Sequence, residues 1–127
     1  MTDTPQSISP PCPSELDVAM RYLGKPWSDS FNCYDFCMEV YENALGRCTK
    51  ADFLPSGNSP NWKKIDLPTP FCVVLMRSYG QAHAGIYLSS DRGGVLHCTP
   101  DRGVIFTSLD ALRHMPIKIE AFYDYVH

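Results

Sequence analysis

The stretch His83-Ala84-Gly85-Ile86-Tyr87-Leu88-Ser89-Ser90-Asp91-Arg92-Gly93-Gly94-Val95-Leu96-His97-Cys98 decides how this chain reads. Two apolar runs flank Asp91-Arg92-Gly93-Gly94, a turn composition, and together they predict an antiparallel hairpin. In the first run His83, Gly85 and Tyr87 share one face, and Ala84, Ile86 and Leu88 the other. If Tyr87 lies opposite Val95, Gly85 faces His97 and His83 sits diagonal to His97 on the same face. Diagonal neighbours are roughly 7–8 Å apart, within reach of two imidazoles. A slip of one residue would place them on opposite faces.

Working outward, the apolar run at 71–76, the segment 103–107 and the alternation at 117–123 read as further strands. Ser108 is placed to cap a short helix at 109–114. Towards the N-terminus the period changes from two to the helical repeat. Ser14 reads as an N-cap with Asp17 at N3, and Leu16, Ala19, Met20 and Leu23 follow at the spacing of one helical face, stopped by Gly24 and Pro26. Cys33, Phe36, Cys37, Val40, Tyr41 and Ala44 form a second apolar stripe, with Asp35, Glu39, Glu42 and Asn43 on the other side and Gly46 as the stop. Residues 47–70, with prolines at 55, 60, 68 and 70, read as a long surface connection. Residues 1–13 read as an extended arm, and 14–127 as one domain. Helices first and a meander of strands afterwards predict an α+β fold with an antiparallel sheet.

The totals restrict the function. The chain has 127 residues, 44% hydrophobic and 20% charged, with a formal net charge of −3. That is an ordinary globular balance. With no basic run longer than Lys63-Lys64, a nucleic-acid partner is not expected. No stretch has the roughly 18 apolar residues of a membrane span, so no membrane partner is expected. Met1-Thr2-Asp3-Thr4-Pro5 lacks the basic and apolar regions of a secretory signal, which implies synthesis in a cytoplasm and, for action elsewhere, a phage tail or a dedicated export route. The six cysteines, at 12, 33, 37, 48, 72 and 98, read first as free thiols, with a disulfide framework or a metal site as alternatives. No cofactor is expected.

A thiolate is a nucleophile, and a helix N-terminus or a nearby imidazolium favours it. Cys33 has the first feature by position. His83 is the candidate general base, and His97 the group that holds the second nitrogen of His83. His114 and His127 lie away from this arrangement. Cys37 reads as packing, and Cys72 and Cys98 as core strand residues. Alternation separates Cys98 from His97, which argues against a shared metal. Asp35 and Glu39 read as a solvated helix start. Trp62 reads either as a stacking contact for a ligand or as an anchor for its loop, and Arg92 and Arg102 as carboxylate binders or ordinary surface residues.

Gly24-Lys25-Pro26-Trp27 followed by Asn32-Cys33-Tyr34-Asp35-Phe36 resembles the nucleophile region of the NlpC-type cell-wall cysteine peptidases, above all the short versions carried in bacteriophage tail modules. His83-Ala84-Gly85-Ile86-Tyr87-Leu88 is similar to that family's base strand, Val95-Leu96-His97 to its third polar position, and Ala121-Phe122-Tyr123 to its last strand. The resemblance spans about residues 14–125. It implies a papain-like α+β fold, with N-terminal helices packed on a C-terminal antiparallel sheet. It also implies cleavage of amide bonds in peptidoglycan stem peptides, usually after D-glutamate, through a Cys33 acyl-enzyme. The Cys33 backbone N–H would serve as an oxyanion donor. Substrate contacts are expected from Trp27, Tyr34 and Trp62. Trp27 stands where many relatives carry a Tyr, and an indole N–H donates but does not accept. The short link from Trp27 to Cys33 implies an open substrate entrance.

Two other classes fit the same residues. One is a non-catalytic tail-assembly or tail-tip component, with other phage tail proteins as partners. The other is a papain-like toxin or acyltransferase acting on lipid or peptide amides.

Overall fold

A computed structural model describes residues 13–46 and 61–125. Its centre is one antiparallel sheet of six strands: β1 (Trp62–Ile65), β2 (Val73–Ser78), β3 (Gln81–Leu88), β4 (Gly94–Thr99), β5 (Gly103–Ser108) and β6 (Ile117–Tyr125), in the order β1-β6-β2-β3-β4-β5. The helices are short: α1 (Glu15–Tyr22), α2 (Cys33–Glu39) and α3 (Leu109–Leu112). This overturns the expected fold class. The domain is dominated by its sheet, and is not the papain-like arrangement of N-terminal helices on a C-terminal sheet. One reason lies in the segment read as a connection. Trp62–Ile65 pairs with β6 and forms the edge of the sheet, so strand structure begins before the apolar run at 71–76. The arm, apart from Pro13, and residues 47–60 of the connection lie outside the described residues.

The hairpin register is the one the sequence implied: Ile86 lies opposite Leu96, Tyr87 opposite Val95 and Leu88 opposite Gly94. Alternation then sorts the side chains. Val73, Ala84, Ile86, Leu88, Leu96, Cys98 and Val104 face Val18, Tyr22, Phe36, Cys37 and Val40 of the helical layer. Cys72, Val74, Met76, Tyr87 and Val95 form a second cluster on the other face, closed by Leu112. The register between β2 and β6 shifts between Leu75 and Met76. This bulge inverts the alternation of β6. Ile117 and Ile119 join the second cluster, whereas Ala121, Tyr123 and Tyr125 join the first.

Ser14 caps α1 as expected, accepting from the Asp17 N–H at 3.0 Å. The buried face differs from the expected one. Val18 and Tyr22 are buried, while Leu16 and Met20 are 69% and 72% exposed and Leu23 is exposed too. Both stripes have helical spacing, so periodicity alone does not choose between them. Tyr22 decides it. Its ring meets Phe36 edge-on at 5.6 Å, and its hydroxyl donates to the Glu39 carboxylate at 3.1 Å. Burial and that carboxylate push the Tyr22 hydroxyl up to about 12. The α2 stripe packs as read, although its second half, Val40–Ala44, winds as a π-helical turn. Ser108 caps α3, which ends before His114.

Candidate active site

The β3–β4 ladder stops at Ile86 and Leu96, but neither strand does. β3 stays paired with β2 down to Gln81, and β4 stays paired with β5 out to Thr99. Gln81–Gly85 and His97–Thr99 are therefore not paired with each other, and the strands part beyond Gly85. A cavity of about 700 Å³ occupies this end of the sheet. It is bordered from the helical side by Trp27, Cys33, Tyr34 and Cys98, and from the other by His83, His97, Ile105 and Ile117.

Alternation puts His83 and His97 on the face of Val95 and Tyr87, away from α1 and α2, so His83 does not lie beneath the Cys33 helix. The thiol and the imidazoles border a common cavity because the strands part there.

Cys33 is held at the first position of α2 by its neighbours. Asn32 Oδ1 accepts from the N–H groups of Tyr34 and Asp35, both at 3.0 Å, and the Asp35 carboxylate accepts from the Asn32 N–H at 3.1 Å. This is a complete capping box. Asp35, read as part of a solvated helix start, is thus a structural group, and Glu39 is the acceptor for Tyr22. The segment before the cap is tied to the start of β5 by bonds from the Gly24 N–H to the Val104 carbonyl and from the Val104 N–H to the Lys25 carbonyl, both 2.9 Å. Gly103 makes this approach possible: it sits at φ +74, and a Cβ there would be 2.2 Å from the Lys25 carbonyl oxygen.

The Cys33 side chain is 8% exposed. Burial pushes its thiol above the ordinary value, and the N–H groups of Ala84, Tyr34 and Cys33 itself pull it back. Among the described residues no hydrogen bond joins Cys33 to His83.

The imidazoles form a chain. His83 Nε2 lies 2.8 Å from His97 Nδ1, and His97 Nε2 lies 2.9 Å from Thr107 Oγ1. All three residues are buried, His97 almost completely. Burial holds both rings in the neutral form, and with His83 alongside, His97 is lowered to about 4. Gly85, between the two histidines in register, leaves the room they need. A Cβ there would lie 2.3 Å from Val95 Cγ1 and 3.0 Å from His97 Cβ.

Thr107 was missed by sequence reasoning, though the signal was present. Val95 lies opposite Thr107 and His97 opposite Ile105, so Thr107 is diagonal to His97, as His83 is. Carrying the argument one strand further would have found it.

Trp27 and Tyr34 border the cavity, as expected of substrate contacts. Trp62 does not, and this corrects its assignment to substrate. It is 5% exposed and packs at 5.4 Å from the Tyr41 ring and 5.2 Å from the Tyr125 ring, as the anchor of β1. Arg102 borders the cavity with Asp101, whereas Arg92 is exposed and pairs with Asp110. Cys33, Cys37, Cys72 and Cys98 are buried free thiols. Among the described residues no group of His, Cys, Asp and Glu is arranged to hold a metal, and no helix is long and apolar enough to cross a membrane. No protein-family model matches this chain, and no curated protein is significantly similar to it.

Proposed function

We propose that the protein is a cysteine peptidase or amidase with Cys33 as nucleophile, His83 as general base and His97 as the group orienting that base. The observation that carries this reading is the buried chain from His83 to His97 to Thr107, which ends at a cavity bordered also by the Cys33 thiol. With His83 Nε2 engaged by His97, Nδ1 is the nitrogen left for the thiol. Burial favours both groups in neutral form, so deprotonation accompanies attack and no ion pair stands in the resting site.

The steps follow. His83 Nδ1 takes the Sγ proton as sulfur bonds to the substrate carbonyl carbon. The carbonyl oxygen gains the negative charge and meets the Cys33 backbone N–H, the first-turn donor that Asn32 does not cap. Collapse breaks the carbon–nitrogen bond. The amine leaves with the proton from His83, and a thioester remains on Cys33. Water then gives a proton to His83 and its oxygen to the acyl carbon. That proton returns to sulfur as the acid departs.

For the substrate we propose peptidoglycan stem peptides, on the ordered likeness of the Trp27–Phe36, His83–Leu88 and Val95–His97 stretches to NlpC-type peptidases. Cys33→Ala should abolish release of stem-peptide fragments from purified peptidoglycan, read by mass spectrometry of the soluble products. Release at the wild-type rate would refute the mechanism. A second reading, a tail-assembly component without turnover, is favoured by the missing bond between Cys33 and His83. A Cys33 inert to iodoacetamide at neutral pH would support it.

A further inference from the structure

Resting on the reading of His83 as base, we infer that Thr107 is a positioning residue: its hydroxyl accepts from His97 Nε2–H and so sets the tautomer of both imidazoles. A neutral imidazole has one donor and one acceptor nitrogen. The pair His83 Nε2–His97 Nδ1 shares a single hydrogen, as does the pair His97 Nε2–Thr107 Oγ1. Two self-consistent arrangements exist. In one, Thr107 accepts from His97 Nε2–H, His97 Nδ1 accepts from His83 Nε2–H, and His83 Nδ1 keeps a bare lone pair at the cavity. In the other, Thr107 donates, every proton moves one place along, and His83 Nδ1 carries hydrogen. Only the first leaves a base for the Cys33 proton. It is also the only one compatible with the imidazolium formed in the reaction, whose Nε2–H needs His97 Nδ1 as acceptor.

Thr107 governs the choice because His97 is buried against it. His97 is 1% exposed, so water does not substitute for the hydroxyl. A buried N–H without an acceptor is rarer and costlier than an acceptor without a donor. Without the hydroxyl, His97 would therefore move its hydrogen to Nδ1, donate to His83 Nε2, and force the hydrogen of His83 onto Nδ1. A residue that never meets substrate would thereby switch off the base.

The test is the tautomeric state of each ring, read from long-range proton–nitrogen correlation spectra of the full chain with labelled histidine at pH 7. The wild type should show His83 and His97 both protonated at Nε2. Thr107→Val should show both protonated at Nδ1 and slow Cys33 alkylation by iodoacetamide about 100-fold, the lower end of the usual share of a general base. Thr107→Ser should restore the wild-type spectrum and rate. Nδ1–H on His97 in the wild type would overturn the inference, and that spectrum requires no variant to fold. So would a folded Thr107→Val with unchanged tautomers. His83→Ala separates the two proposals. If it leaves Cys33 alkylation unchanged while the tautomers behave as stated, the role of His83 as base fails and that of Thr107 as tautomer setter stands.

Discussion

A histidine ring that is 1% exposed can be charged only at a cost, and His97 illustrates the consequence for stability. Burial, with His83 alongside, lowers it to about 4. In the unfolded chain it titrates near ~6.5. Between these values the unfolded state binds a proton that the folded state refuses, so stability falls as pH drops from about 6.5 towards 4 and levels off below. The shift sets an upper bound of about 3 kcal/mol for this loss, and His83 contributes in the same direction. Urea unfolding at pH 7 and pH 4.5 should show the drop, and His97→Asn should reduce it. Equal pH dependence in the two proteins would contradict the assignment. The place of the same ring beside His83 was readable from the hairpin alone. Its low proton affinity was not, because that depends on what covers it.

Short elements hold this site, and each depends on a few bonds. α2 has seven residues, so its start is a large part of it. The Asn32 side chain takes two of the first-turn N–H groups, and the Asp35 carboxylate takes the Asn32 N–H. Asn32→Ala should cost about 1 kcal/mol of stability, within the usual 0.5–2 kcal/mol for a lost cap. It should also broaden the Cys33 reactivity profile, since the N–H groups of Tyr34 and Cys33 that pull the thiol down would lose their fixed aim. Thermal unfolding combined with iodoacetamide rates across pH would show both effects, and a stable variant with unaltered rates would argue against the role given to the cap. The Ser14 cap and the α2 stripe were readable because both are local. The buried face of α1 was not, because Leu16, Met20 and Leu23 compete with Val18 and Tyr22 at the same spacing, and the Phe36 ring and Glu39 carboxylate that settle it lie elsewhere in the chain.

Across the whole molecule the six-stranded sheet does two jobs. At one edge β1 and β6 close the first core cluster with Trp62, Tyr41 and Tyr125, and at the other end β3 and β4 part to admit the thiol. The two regions are separate, so they should fail separately. Trp62→Ala should cost about 3–5 kcal/mol, the usual range for an aromatic deleted from a core, and leave Cys33 alkylation at its wild-type rate in the folded protein. A variant of normal stability with weakened substrate binding would return Trp62 to the site. What the sequence determined by itself was whatever spans a few residues: the hairpin and its register, the diagonal placement of His83 and His97, the position of Cys33 at a helix start, and the caps. Alternation and helical spacing carry that information along the chain. What only the tertiary structure decided was every matter of long-range pairing: β1 against β6, the bulge that inverts the end of β6, the parting of β3 from β4, and Thr107 behind His97. These depend on which surfaces bury together, and a sheet's edges, gaps and second neighbours are properties of the assembled layers that no single run of residues encodes.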